Sequence, residues 1–504
     1  MADYFMGVDI GTSSTRAVLF NAVGMPVGMD SREYSIHSSF EGTAELNPDL
    51  VFHSTLSVIR GCMEKAGIGM GCLAGIGLGC QMHSVMAVDR EGMPLTGLMT
   101  WADNRASAEA DFIRDRCDVT DLYNRTGCRV QHPMYPISKI LWLRNNRRDL
   151  FDRVYKYISI KEYVIYKLYG EFVVDYTIAS CQGFYNIHRQ NWDETILQDI
   201  LGIDKSRLSE AVECTTVLKG MKPEFARILG IAENTPVIVG SGDGILANVG
   251  CGVRDDTSVS CTIGTSGAIR TAIPEPLLDP RQRTWCYSFT RDTWVAGGAI
   301  NNGGIVLKWL RENFRQQFEH DAQESGESLY RVFDRYAAEV APGSDGLLFL
   351  PYLMGERSPN WNAAARGIMY GLDYSHGRKH MIRAAMEGVL FRMYSIYEVI
   401  SVLRDSAVQI RANGGYAKSD IWLKMQADIF NKEILVPPVE EASALGGAFL
   451  AMAAVGAVKD WRVLLPSMEP RSVIKPSEEN HRVYRQIYEK FKDIYEKLYP
   501  VQSK

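Results

Sequence analysis

Two short segments carry the residue types that phosphate handling needs. In Asp9-Ile-Gly-Thr-Ser-Ser-Thr-Arg16, Gly11 lets the backbone approach an anion closely, and Thr12, Ser13 and Ser14 add hydroxyls to the main-chain N–H groups. Arg16 adds charge. The tetrapeptide Ile-Gly-Thr-Ser starts at Ile10 and again at Ile263, an offset of 263 − 10 = 253 residues, about half the chain. Either turn alone reads better as a plain hydroxyl-rich hairpin than as a phosphate site. A pair in two similar halves could grip a polyphosphate from both sides, and Asp9 could hold Mg2+ through water. A third cluster, Gly240-Ser-Gly-Asp243-Gly-Ile-Leu-Ala247, follows the apolar run Pro236–Val239. It exposes Asp243 at the carboxyl end of a strand, where α/β sheets bind ligands. Asp243 could take the proton of an attacking alcohol, or it could cap the helix that follows.

Regular elements must position these residues. Each Gly-Thr-Ser turn has a β-rich stretch before it (Tyr4–Ile10, Thr257–Ile263) and another after it (Ala17–Phe20, Ala268–Ala272). The pattern predicts duplicated α/β domains facing each other. Ala74–Leu78 and Pro236–Val239 read as further strands. Ser159–Gly170 reads as a helix ended by Gly170, and Ala444–Val458 as a helix buried inside a domain. A last helix follows the N-cap Ser477, with Tyr484, Ile487, Tyr488, Phe491, Ile494, Tyr495 and Leu498 on one stripe. The chain has 504 residues, more than one core usually organises, and the Gly-rich, charged stretch Asn248–Thr257 marks a boundary between domains 1–247 and 248–504.

Composition excludes several classes. Hydrophobic residues make up 46% and charged residues 23%, an ordinary globular profile, and the formal net charge of -5 favours neither nucleic acid nor an anionic membrane. Ten cysteines without a C-x-x-C pair, and no signal peptide pattern, predict reduced thiols in the cytoplasm. No Gly-Lys dipeptide, G-x-G-x-x-G or G-x-S-x-G occurs, which removes the Walker A loop, the dinucleotide fingerprint and the serine-hydrolase elbow. The close pair His376 and His380 sits beside Arg378 and Lys379, poor company for a metal.

The chain resembles the FGGY carbohydrate kinases of the actin and Hsp70 ATPase superfamily from Met6 to about Tyr499. The most specific segments are Gly7-Val-Asp-Ile-Gly-Thr-Ser-Ser-Thr-Arg-Ala17, Gly240-Ser-Gly-Asp-Gly244, Thr262-Ile-Gly-Thr-Ser-Gly267, Gly355-Glu-Arg-Ser-Pro-Asn-Trp-Asn362 and Asn413-Gly-Gly415. Asn362-Ala363 departs from the Asp-Pro that the family often has there. The resemblance implies an α/β fold of two RNase H-like, actin-like ATPase domains flanking a catalytic cleft. By similarity Asp243 is the catalytic base and Asp9 the Mg2+-side carboxylate. Gly11, Thr12, Ser13, Ser14 and Arg16 form the first phosphate turn, and Gly264 and Thr265 the second. Gly304 contacts the nucleotide, and Gly414, Gly415 and Ser419 hold its adenosine part.

Gln81-Met-His-Ser84 and Thr100-Trp-Ala-Asp-Asn-Arg105 match the sugar-holding region of similar kinases. They assign Met82, His83, Trp101, Asp103 and Arg105 to the substrate, with Asp243 and Gly244. Trp101 could shield the carbon chain, Asp103 accept hydroxyl protons, and Arg105 pair with a carboxylate. Equally, His83 and Trp101 could be core residues and Arg105 could salt-bridge Asp103. The resemblance implies ATP and Mg2+ with a sugar acid, D-gluconate, phosphorylated to 6-phospho-D-gluconate. Closure about residues 248–257 would exclude water. A neutral sugar such as xylulose is the alternative substrate, and an actin- or Hsp70-like ATPase switch the alternative of another class. A homodimer is expected by analogy.

Overall fold

The computed structural model describes residues 4–40, 42–404 and 406–500. Its first sheet contains β1 (Tyr4–Ile10), β2 (Ser14–Asn21), β3 (Pro26–Glu33), β4 (Leu73–Cys80), β5 (Val217–Leu218) and β6 (Val237–Gly242), in the order β5-β6-β4-β1-β2-β3. Its second contains β7 (Ser258–Ile263), β8 (Gly267–Ile273), β9 (Trp285–Thr290), β10 (Thr293–Ile300), β11 (Gln409–Asn413), β12 (Glu433–Val436) and β13 (Ser472–Ile474), in the order β9-β10-β8-β7-β11-β12-β13. In each, three antiparallel strands (β3-β2-β1; β10-β8-β7) continue into two parallel ones (β4-β6; β11-β12). The two halves therefore repeat one topology, and both Ile-Gly-Thr-Ser segments turn the chain from the first strand of a sheet into the second.

The central strands are buried along most of their length; β1 and β6 read as largely apolar runs, whereas β7, Ser-Val-Ser-Cys-Thr-Ile, alternates small hydroxyl and apolar side chains and is buried on both faces all the same. The covering helix α6 (Ala442–Ala454) lacks any charged side chain and is buried on nearly all sides, as the apolar run predicts, although the run's last residues, Val455–Val458, lie beyond the helix end and Val455 is exposed. Although it follows β12 of the second sheet, it lies on the first. A Cβ at Gly7 would stand 1.7 Å from the carbonyl oxygen of Ala444, so the helix backbone rests on the bare strand β1. It also crosses α2 (Asp243–Cys251) at backbone contact: a Cβ at Gly446 would meet the Leu246 carbonyl oxygen at 2.0 Å. The first core accordingly contains Leu445, Phe449 and Met452 beside Phe5, Val8 and Leu78.

The helix Ile160–Tyr169 carries a Ser159–Glu162 capping box and ends at a left-handed Gly170. The last helix, α7 (Glu478–Leu498), is capped by Ser477 and buries Tyr484, Tyr488, Phe491, Ile494 and Tyr495. Leu498, expected on that stripe, is exposed, because the final turn runs past the core. Within the stretch expected to mark the domain boundary, Asn248–Thr257, residues Asn248–Cys251 form the buried end of α2, which is capped by Gly252. All ten cysteines are free, and no helix among the described residues is long and apolar enough to cross a membrane.

Candidate active site

The strand ends of both sheets meet around a cavity of about 240 Å³. Asp9 comes from the end of β1, Asp243 from the first turn of α2, Thr262 from the end of β7, and Asn413 from the end of β11. Arg16 and Arg270 reach it from β2 and β8. Register explains the first placement: Asp9 lies opposite Arg16 in the β1–β2 ladder. Arg16 pairs with Glu441, at the start of α6, and so ties the first hairpin to the second half.

Charge is crowded in this space. Burial, then Asp243 and Glu441, push the Asp9 carboxyl up to about 7 against the pull of Arg16. Burial also raises Asp243, offset by Arg270 and by the N–H of Gly244, which donates to its carboxylate at 2.6 Å. A Cβ at position 244 would stand 2.7 Å from the Arg270 guanidinium, so glycine is what admits that arginine. Gly242, not Asp243, occupies the helix N-cap, and the Gly244 N–H is the one first-turn donor that the Asp243 carboxylate takes. Asp9 Oδ1, Thr262 Oγ1, Arg16 Nε, and Arg270 Nε and Nη1 are buried without hydrogen-bond partners. An orphaned buried polar atom costs about 1–3 kcal/mol, so five converging on one cavity describe a site built for a charged ligand.

Next to it lies a larger cavity of about 660 Å³, lined by Gly264, Thr265, Gly304, Gly415 and Ser419. Gly304 precedes the helix α3 (Ile305–Asn313) and donates its N–H to Gly264 O at 2.6 Å. Ser419 caps α5 (Asp420–Phe430), accepting from the Trp422 N–H at 3.1 Å and donating to Asp334 at 2.6 Å. Gly414 sits behind this wall, where a Cβ would be 2.6 Å from Ile263 O. Apolar and aromatic lining with a few cations suits a flat heteroaromatic base carrying phosphates. The β7 end borders both cavities, Thr262 facing the smaller and Ile263 the larger.

Thr12, Ser13 and Ser14 line neither cavity. Ser13 is exposed, and Ser14 opens β2. The Gly11 carbonyl accepts from Tyr34 at 2.7 Å and Gln81 at 3.2 Å. Thr12 Oγ1 donates to Gln81 at 3.1 Å and accepts the indole N–H of Trp101 at 3.0 Å, which links the first turn to the expected sugar wall. Met82 is buried against Gly242. His83 has a left-handed backbone, φ 63, and its Nε2 is 2.9 Å from the Tyr287 hydroxyl. Burial, then Lys139 and Arg357, hold its imidazole well below the usual range.

Two expectations are corrected. Asp103 is fully buried, and its oxygens accept from the Ala44 N–H and from Arg105, leaving none for a sugar hydroxyl. The Arg105 fork is in turn closed on Asp103 and Glu45 at 2.7 and 2.6 Å, so it is not free for a substrate carboxylate. The salt-bridge alternative is the one realised.

Sequence reasoning passed over Arg270, Arg357, Tyr287 and Lys139. Arg270 had a signal, as the one charge in the buried, otherwise uncharged strand Gly267–Ile273. Lys139 Nζ donates to the carbonyls of Thr100 at 2.6 Å, Met134 at 2.8 Å and His83 at 3.3 Å, three segments of the same wall. No local pattern announces it.

Paired RNase H-like sheets whose strand ends close on a polyphosphate-sized space define a phosphotransferase of the actin-like ATPase fold. Residues 4–250 match the N-terminal domain, and residues 259–455 the C-terminal domain, of the FGGY family of carbohydrate kinases, and the chain belongs to that family. It is thus an ATP-using carbohydrate kinase, and the ATPase-switch alternative falls away. The chain is 40% identical over 490 residues to the gluconokinase of Bacillus subtilis (strain 168), covering 96% of this chain and 94% of that one. The gluconate kinase of Lactobacillus acidophilus superposes with a TM-score of 0.90 at 33% identity, over 99% of this chain and 98% of its own. The ligand-bound xylulose kinase of the same organism gives 0.91 at 33% identity, over 99% of both chains.

Proposed function

We propose that the protein transfers the γ-phosphoryl group of ATP to the terminal hydroxyl of D-gluconate, giving 6-phospho-D-gluconate and ADP. Asp243 takes the hydroxyl proton as that oxygen bonds to the γ-phosphorus. The bond from this phosphorus to the β,γ-bridging oxygen breaks, and ADP leaves with the electron pair. Arg270 stands beside the base, and its unpartnered Nε and Nη1 can offset charge on the phosphate oxygens. The adenosine part occupies the cavity of about 660 Å³, and the sugar lies along Met82, His83 and Trp101.

The carboxylates fit Mg2+. Asp9 presents a buried, unpartnered oxygen, and Asp243 lines the same cavity. Among the described residues no group of three or more His, Cys, Asp or Glu could hold a metal unaided, so water and phosphate oxygens would complete the shell of this hard ion. When bound, it would neutralise the polyphosphate. The reading places the division between domains near residue 247 and the enzyme in the cytoplasm as a homodimer, without nucleic-acid or membrane partners.

The supporting observation is the convergence of Asp243 and five unpartnered polar atoms, one of them Asp9 Oδ1, on one cavity between the sheets. Likeness to a xylulose kinase favours a neutral ketose as the second reading. ADP release measured over a panel of aldonates, ketoses and polyols decides between them. D-gluconate is expected to give the highest kcat/KM, and a clear preference for D-xylulose would replace the first reading with the second.

A further inference from the structure

With Arg105 closed on its own carboxylates, the acid end of a sugar acid requires another cation, and one stands over the sugar wall. The guanidinium of Arg357, on the segment Gly355–Asn362, lies 5.4 Å from the centre of the Trp101 ring. Its Nη2 donates to the Ile300 carbonyl at 3.2 Å, its Nε is buried without a partner, and no carboxylate among the described residues is in salt-bridge contact with it. Glu356, next along the chain, is not available to it, being paired with Arg392. A guanidinium that holds a buried, unsatisfied Nε–H and has no counter-ion is costly unless a ligand anion completes it.

His132 supplies a second donor. Its Nδ1 accepts the N–H of Met134 at 3.2 Å, which fixes the ring proton on Nε2. The ring packs edge-on to Trp361, from the same segment as Arg357, at 5.4 Å between centres. Burial, then Arg357, push its imidazole down to about 3, so it stays neutral and donates at working pH.

We propose that Arg357 and His132 form the carboxylate subsite, gripping the acid end of the substrate while its terminal hydroxyl faces Asp243. The proposal rests on the sugar-acid reading above and names what selects the acid. Arg357 offers a two-pronged bond to the carboxylate, His132 Nε2 adds a third, and Trp101, already in contact with the guanidinium, borders the carbon chain beside it.

Steady-state kinetics on D-gluconate and on neutral D-xylulose, with ADP binding as a check on folding, test this. Arg357→Met should lower kcat/KM for D-gluconate about 100-fold or more, mainly through KM, and change the neutral substrate less than about fivefold. Arg357→Lys should recover part of the loss, and His132→Ala should lose about tenfold on the acid alone. Equal losses on acid and neutral substrates, or no loss on the acid, would overturn the subsite. His132→Ala keeps the question open to measurement if the Arg357 variants fail to bind ADP. A wild-type enzyme inert towards D-gluconate would instead overturn the reaction assigned above. In that case, binding of other aldonates that depends on Arg357 still supports the subsite, and indifferent binding of aldonates and polyols overturns it.

Discussion

The indole N–H of Trp101 donates to the hydroxyl of Thr12 at 3.0 Å. Thr12 in turn donates to Gln81, and the Gln81 amide holds the Gly11 carbonyl. The sugar wall and the first glycine turn are therefore one hydrogen-bonded unit. Trp101→Phe keeps the ring and removes the link. It should raise KM for both sugar and ATP, with a loss of about tenfold in kcat/KM, whereas a ring acting only as a hydrophobic platform would leave the ATP constant untouched.

Asp243→Asn keeps size and removes the base. Turnover should fall by about a thousandfold or more, while ADP affinity stays within about threefold of wild type. Single-turnover kinetics and calorimetric ADP titration separate the two, and near-normal turnover would take Asp243 out of the mechanism.

Asp9 predicts a pH effect with a definite sign. Its folded-state value, about 7, lies above the ordinary 3.8, so its contribution to stability is complete below the ordinary value and disappears as pH rises through about 7. Asp9→Asn should therefore melt higher than wild type at pH 8, by a few degrees, and gain much less at pH 5. The same variant should lose catalysis. Melting curves of the ligand-free protein at the two pH values are the check, and a gain independent of pH would contradict the assignment.

Lys139 clips the carbonyls of Thr100, Met134 and His83 from a buried position. Lys139→Met leaves them without that donor and should cost about 2–4 kcal/mol of stability. Sugar KM should rise several-fold as His83 and Trp101 loosen, with ATP affinity nearly unchanged. Urea unfolding and substrate titration measure the two effects, and unchanged stability would show that solvent replaces the ammonium.

Much of this arrangement is legible in the sequence because it is local. A strand, a glycine turn with hydroxyls, and a second strand announce each hairpin, and the apolar run before Gly240 announces the strand that delivers Asp243. Distant pairings are not legible. Asp103 and Arg105 look available because nothing nearby in the chain reveals that Ala44 and Glu45 fill them. Arg357 meets Trp101 across more than half of the chain. That Asn248–Cys251 continue a buried helix is not legible either, because glycine and small apolar residues serve a close helix crossing as readily as a boundary between domains.

The seat of α6 on the first sheet has a consequence for how the protein is made. On the ribosome, the N-terminal strands emerge long before the segment that covers one of their faces, which belongs to the last quarter of the chain. Until residue 454 has left the exit tunnel, that face stays open to water and to sticky neighbours. A gene cut between the two halves would yield an N-terminal fragment prone to aggregate, and the second fragment supplied in trans should rescue it by delivering the missing cover.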